Sequence, residues 1–305
     1  TLQTPQNFAW TAPAASAKTS GRRLAFARWL TQPEHPLTAR VMVNRIWMHH
    51  FGTGLVATPD DFGVSGSPPS HPQLLDWLAT EFVRSGWSIK HMHRLILTSR
   101  TWHQRSRVTA EHRALCEQTD PQIQLLWRQS MRRLEAEAIR DALLAVSGTL
   151  NPAMFGVSQA VARQTNGEVI VPAAADQQRR SLYVRIKRLH PETLLQAFDQ
   201  PTMSVNCTQR SVSTVSTQAL MLLNGETTIR AATAFATRVI AEQPDDPIGR
   251  AELLALTRPI TNAERELLPQ FVNQQTTQYL SEAAASEDSS PEARATATLK
   301  AHADL

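Results

Sequence analysis

Between Leu37 and His50, apolar residues fall on almost every face of a helix. At about 100° per residue, Leu37, Ala39, Val41, Val43, Ile46, Trp47 and Met48 cover most of the circumference. Only Thr38, Arg45 and His49 make an unbroken polar stripe. A helix that is apolar nearly all round is buried among others, so the pattern predicts a central helix around which the chain is organised. Arg40 and Asn44, one turn apart, fall inside the apolar arc and need polar partners. The next carboxylates downstream are Asp60 and Asp61, beyond Gly52 and Gly54. The expectation is that the PDDF loop neutralises Arg40.

The same reading gives the other elements. Ser20 is expected to cap a helix from Gly21 to Leu30 with Leu24, Ala27, Phe26 and Leu30 inward. Ser70 and Gln73 read as a capping box opening a helix to Ser85, with Leu74, Leu75, Trp77, Leu78, Phe82 and Val83 on its apolar side. Ser88 caps a helix from Ile89 to about Thr101, and residues 104–120 read as irregular or loosely helical. A helix from Arg133 to Ser147 places Leu134, Ala138, Ile139, Leu143 and Val146 inward. Glu168–Val171 and Ser181–Lys187 look like two strands of a hairpin. Helices follow over Pro191–Phe198, Thr214–Leu223, Thr227–Ala241 and Pro247–Leu256. Thr261 and Glu264 form a second capping box, opening a helix that Pro269 can kink. The predicted fold class is mainly α: a multi-helix orthogonal bundle with one small antiparallel β-hairpin.

Charge changes the picture along the chain. Residues 1–240 carry 26 Lys and Arg against 16 Asp and Glu, a balance of +10; residues 241–305 carry 5 against 11, a balance of −6. All seven Trp lie between Trp10 and Trp127. With that shift the expected organisation is a linker over 1–19, a Trp-rich helical part over 20–130, a second helical part with the hairpin over 131–281, and a mobile stretch leading into a truncated terminal helix over 282–305. No apolar run is long enough to span a bilayer as a helix. Two cysteines, Cys116 and Cys207, permit at most one bridge. No CxxCH occurs, so the chain by itself attaches no c-type haem, and no cofactor is expected in it.

Several strings resemble one family. They are HPLTARVMVNRIWMHHFGTGLVATPDDFG, SHPQLLDWLA, GWSIKHMHRLILTSRTW, RLEAEAIRDALLAVSG, RRSLYVRIKR, FDQP with Cys207 and Arg210, and STVSTQALMLLNG. Their order and spacing resemble the planctomycete-specific PSD domain, a family without an established reaction, from about Ser20 to Gly225. The resemblance implies a C-terminal module of a large exported protein, an extracytoplasmic setting, and haem on cytochrome-c-like modules elsewhere in the same polypeptide. Two departures stand out: no Pro occurs in Ser213–Thr217, and Trp102 replaces a usual Tyr.

Candidate chemistry is concentrated in a few places. Asp60, Asp61 and His71 are candidate catalytic residues, an acid–base set that a hydrolase acting on glycans would use. Beside them Arg40, Asn44, Arg45 and His49 are candidate binding groups; the plainer reading makes Arg40 part of a structural ion pair. His49 and His50, about 100° apart on a helix, do not share a metal easily, nor do His91 and His93, and no metal site is expected. Arg185 and Lys187, with Tyr183, Arg179, Arg180 and Arg188, would suit an acidic protein or glycan, including the chain's own acidic tail; the alternative is a solvated strand face. Asp199, Cys207 and Arg210 form a further set, with Cys207 either a nucleophile beside His190 or a small buried thiol. No phosphate loop, GxGxxG or GxSxG occurs. Three functions remain: a non-catalytic interaction or scaffold module joined to upstream domains of the same polypeptide, a hydrolase, and a nucleic-acid binder resting on the pI alone. The first is the expectation, with no nucleic acid among the partners.

Overall fold

The structure is a computed structural model, and it describes residues 19–172, 178–202, 207–285 and 290–305. The expected linker lies outside the described residues except for Thr19, and so do residues 286–289 of the expected mobile stretch. The chain is mainly α, with twelve α-helices and a two-stranded antiparallel hairpin among the described residues. It divides into two compact units, Thr1–Arg132 and Arg133–Leu305.

The first unit contains α1 (Arg22–Leu30), α2 (Thr38–Phe51), α3 (Pro72–Arg84), α4 (Ile89–Leu97) and α5 (Ala110–Thr119). The apolar arc of α2 buries Ala39, Val43, Ile46, Trp47 and Phe51 against Leu75, Leu78, Ala79 and Phe82 of α3 and Met92 and Ile96 of α4. Burying each such side chain is worth ~1.5–3 kcal/mol, so α2 is the spine of this unit. The imidazole of His35 closes its start, with Nδ1 accepting the Thr38 N–H at 3.1 Å and the Leu37 N–H at 3.3 Å. Gly52 ends it at φ +87°, a conformation that costs a side-chain-bearing residue energy.

Three expectations are corrected here. Gly21, not Ser20, stands at the cap of α1, and the helix buries no residue: Leu24, Ala27 and Phe26 are exposed. Ser70 does not cap α3, because its hydroxyl turns to the Leu55 carbonyl at 3.3 Å and its N–H donates to the same oxygen at 2.8 Å. Trp77 on α3 is exposed. Ser88 does cap α4, accepting the His91 N–H at 3.2 Å. Residues 104–120, read as irregular or loosely helical, contain α5 behind a Thr109 cap.

The second unit runs through α6 (Ala136–Val146), β1 (Ala162–Arg163), β2 (Val169–Ile170), a 3-10 turn at Ser181–Tyr183, α7 (Thr193–Ala197), α8 (Ser216–Asn224), α9 (Glu226–Glu242), α10 (Pro247–Leu256), α11 (Asn262–Ala285) and α12 (Pro291–Ala303). The inward face of α6 is Ala136, Ile139, Arg140, Leu143 and Leu144; Leu134 and Ala138 point outward. The hairpin differs from its prediction. Ala162 pairs with Ile170 and Arg163 with Val169, around a turn in which the Gln164 N–H donates to the Glu168 carbonyl at 2.7 Å. Asn166-Gly167 sits in that turn, and such a pair is a strong hairpin signal. Ser181–Lys187 forms no strand, since only Val184 bridges to another segment, at Gln159. The hairpin rests on α7, where Thr193 Oγ1 accepts the Val169 N–H at 2.7 Å. Helix α11 runs through Pro269. Residues 291–303, in the stretch expected to lead into a terminal helix, form α12, which packs on α9 and α11 and buries Ala297 and Ala301.

Candidate functional site

In the first unit, the buried polar group tied to the loop after α2 is Asn44. It is fully buried, and its amide behaves like a peptide: Nδ2 donates to Val56 O at 3.0 Å and Oδ1 accepts the Val56 N–H at 2.8 Å. A Cβ on Gly54 would come within 2.6–2.8 Å of Val56 O and both amide atoms of Asn44, so that approach requires glycine. The expected partnership of Arg40 with Asp60 or Asp61 is not what forms. Arg40 Nε donates to Asp76 Oδ1 on α3 at 2.7 Å, and its Nη1 donates to the Pro36 carbonyl. The reason is geometric: Asp76 on α3 lies within reach of Arg40 Nε, while the PDDF loop closes upon itself. The Thr58 hydroxyl donates to Asp61 O at 2.7 Å and accepts the Ser67 N–H at 3.0 Å, and Asp61 Oδ1 accepts the Gly63 N–H at 2.8 Å. Asp60 and Arg45 are exposed, and His71 Nδ1 lies 3.0 Å from Ser70 Oγ. No contact among the described residues joins Asp60, Asp61 and His71 into an acid–base set.

The histidines sort differently from their order in sequence. His49 is exposed, and its carbonyl accepts Arg132 Nη2 at 2.7 Å. His50 is buried, with Nε2 2.7 Å from His93 Nδ1 and its ring edge-on to Trp102. His91 instead meets Glu81 at 3.0 Å. Burial first, then the charges of His93, Arg132 and His49, holds the His50 imidazole below its ordinary value. One of the two nitrogens donates to the other, and this contact fastens α2 to α4. Among the described residues no group of three or more His, Cys, Asp or Glu is placed to hold a metal ion.

In the second unit, the charges near FDQP also hold backbone. Asp199, at φ +66°, accepts Arg133 Nη2 and the Ser213 N–H at 2.8 Å. Those bonds, led by the Ser213 N–H, hold its carboxyl below the usual range. Arg210 grips Glu137 with two nitrogens at 2.6 and 3.2 Å and lies 3.4 Å from Glu135. Cys207 is exposed, not buried, and donates to Gln209 O at 3.2 Å; it and Cys116 are free thiols. Arg140 escaped the sequence reading, although it sits in the apolar arc of α6 as Arg40 does in that of α2. Its Nη1 donates to Arg179 O at 3.0 Å, while Nε and Nη2 find no hydrogen bond among the described residues. Glu192 is equally buried and caps α7 by accepting the Leu195 N–H at 2.7 Å. Burial lowers the Arg140 pKa and raises that of Glu192.

The most elaborate arrangement is an arch from Asn151 to Gln159. Parallel bridges pin its two ends, Asn151 to Arg179 and Gln159 to Val184. Between them the guanidinium of Arg179 donates to three carbonyls of the arch: Ala153 at 3.0 Å, Val157 at 3.2 Å, and Phe155. The guanidinium also stacks 3.9 Å over the Tyr183 ring, whose hydroxyl accepts the Phe155 N–H at 3.0 Å. Arg179 is therefore a buried strut and not part of a basic surface. Phe155 and Gly156 take φ of +66° and +82°, a turn that costs Phe155 energy and throws its side chain outward. Met154, Phe155 and Val157 are 65, 78 and 80% exposed, and Leu182 is 74% exposed. Residues 178–190 carry five cations, Arg179, Arg180, Arg185, Lys187 and Arg188, and no Asp or Glu. Arg185 reaches Ser158 Oγ at 3.3 Å and Lys187 reaches Val161 O at 3.5 Å, both with exposed side chains.

A family model described as PSD1, a protein of unknown function (DUF1553), matches residues 22–272. No curated protein and no solved structure matches the chain.

Proposed function

Because the chain belongs to the PSD1 family of proteins of unknown function, we propose that it serves as a non-catalytic interaction or scaffold module. One observation carries this reading: the arch at Asn151–Gln159 is braced by three hydrogen bonds from Arg179 and one to the Tyr183 hydroxyl, and it presents Met154, Phe155 and Val157 to solvent. Large apolar side chains fixed in the open at the cost of a left-handed Phe are the mark of a docking surface. The charged groups nominated for chemistry support the same reading, since Asp61, Asp199, Arg210 and Arg40 each hold a neighbouring segment. The proposed setting is extracytoplasmic, within a longer polypeptide that also bears cytochrome-c-like modules, and upstream domains of that polypeptide are the first partners to consider. The seven ordered strings resembling the planctomycete-specific domain support that setting.

A panel of chromogenic glycosides tests this reading against the hydrolase alternative. The purified chain and an Asp60→Asn, Asp61→Asn, His71→Gln triple variant are expected to give the same background rate. A turnover that the triple variant abolishes would establish an enzyme instead.

A further inference from the structure

We propose that the arch from Asn151 to Gln159 is a docking knuckle for a folded acidic protein, whose apolar cleft receives Phe155 and whose cleft rim carries Asp and Glu. The inference rests on the interaction reading above and names the partner class of that surface.

Shape supplies the first argument. Three of four consecutive residues from Met154 to Val157 are large, apolar and more than 60% exposed, so the surface protrudes. A protrusion fits a cleft on a folded partner; an extended peptide would instead need a groove on this chain. Preorganisation is the second. The Phe155 backbone is held on both sides, its N–H by Tyr183 Oη and its carbonyl by Arg179, so little loop entropy remains to be lost on docking.

Charge supplies the third argument. Arg180, Arg185, Lys187 and Arg188 lie on the segment that supports the arch, and all four are exposed. Asp141, 3.5 Å from Arg180, is the one carboxylate close to this set among the described ion pairs. A two-fold contact of this face with the same face of a second copy would bring these cations against their own kind, which disfavours that mode of self-association. An acidic rim is the complement, and it would steer the encounter as well as hold it.

Site-specific photo-crosslinking in the full-length polypeptide tests this. Phe155→p-benzoyl-phenylalanine is introduced in cells and irradiated, and adducts are mapped by mass spectrometry. Since Phe155 packs into no core, the variant keeps the circular dichroism of the parent. The expected result is one discrete adduct on a folded partner, at an apolar residue flanked by Asp and Glu. In lysates irradiated at about 0.05 M and about 0.5 M NaCl, its yield should be several-fold lower at the higher salt, where the screening length is shorter, and fall again with Arg185→Glu and Lys187→Glu together. Adducts to a second copy, to a basic surface or to an extended peptide would overturn the inference. The same photo-residue at Trp77 and at Leu115, both exposed in the first unit, separates the two levels. Discrete adducts there with none at Phe155 would sink the knuckle and leave the module reading standing. No adduct at any of the three positions would sink both.

Discussion

Asn44 shows why a buried amide can matter more than a neighbouring charge. Its two bonds to Val56 are made out of water, and Asn44→Ala would strand a buried N–H and a buried carbonyl. With about 1 kcal/mol per lost bond and a further penalty for the unsatisfied groups, the expected cost is ~3 kcal/mol. Arg40 pairs with an Asp76 side chain that is 58% exposed, and such pairs are worth ~0–1 kcal/mol, so Arg40→Ala should cost far less. All seven Trp residues lie within Thr1–Arg132. Urea unfolding followed by Trp fluorescence therefore reads the first unit alone, and equal losses for the two variants would refute this ranking. The same probe reads His50. Its pKa is held down in the folded state by burial and by His93, Arg132 and His49, so the unfolded chain takes up a proton first as pH falls. The His50 contribution is full above the ordinary histidine value of about 6.5 and is lost below it until the folded value is passed. His50→Gln should flatten the fall in urea midpoint between about pH 7 and pH 5. Some slope remains, because burial lowers His35 as well.

At the scale of elements, the chain declared its helices far better than its partnerships. Helix α2 was legible because its apolar arc is nearly closed, and α10 keeps its expected bounds, its start held by the Asp246 carboxylate, which accepts the Gly249 N–H at 3.0 Å. The capping box at Thr261 also forms, with the Thr261 N–H donating to Glu264 Oε2 at 2.9 Å and the Glu264 N–H to Thr261 Oγ1 at 3.4 Å. The equally good pattern at Ser70 does not, because a carbonyl 15 residues back, that of Leu55, claims the hydroxyl. Local spacing cannot reveal such a long-range competitor. The 181–187 alternation misled for a related reason: a strand needs a partner along its length, and Gln159 offers a single bridge. In the candidate site, the basic residues of that segment were visible, but the inward turn of Arg179 was not. Nothing local distinguishes it from Arg180, and only the three carbonyls of the arch decide it.

Glu264 offers a test at the same scale. Arg258 first, then the Thr261 N–H and hydroxyl, hold its carboxyl at about 2, below the ordinary 4.5. Its stabilisation of the start of α11 is therefore present above pH 4.5 and lost as pH falls toward 2. Glu264→Gln should remove that part of the acid transition of α11, read by amide exchange at Arg265 and Glu266. An unchanged transition would show that the ion pair and box contribute nothing to the helix start.

For the whole molecule, the two units divide the labour that the sequence had assigned to one centre. The first is built on α2 and closes its polar residues into loop contacts. The second braces an arch that holds Met154, Phe155 and Val157 exposed, and the five cations without a carboxylate over residues 178–190 support the proposed acidic partner. Hydrogen–deuterium exchange tests this most directly, comparing the isolated chain with the same chain in the assembly purified from cells. Amides of residues 153–159 and 182–188 should exchange several-fold more slowly in the assembly, with the PDDF loop unchanged. Equal exchange at the arch, or protection at the PDDF loop in its place, would contradict the account.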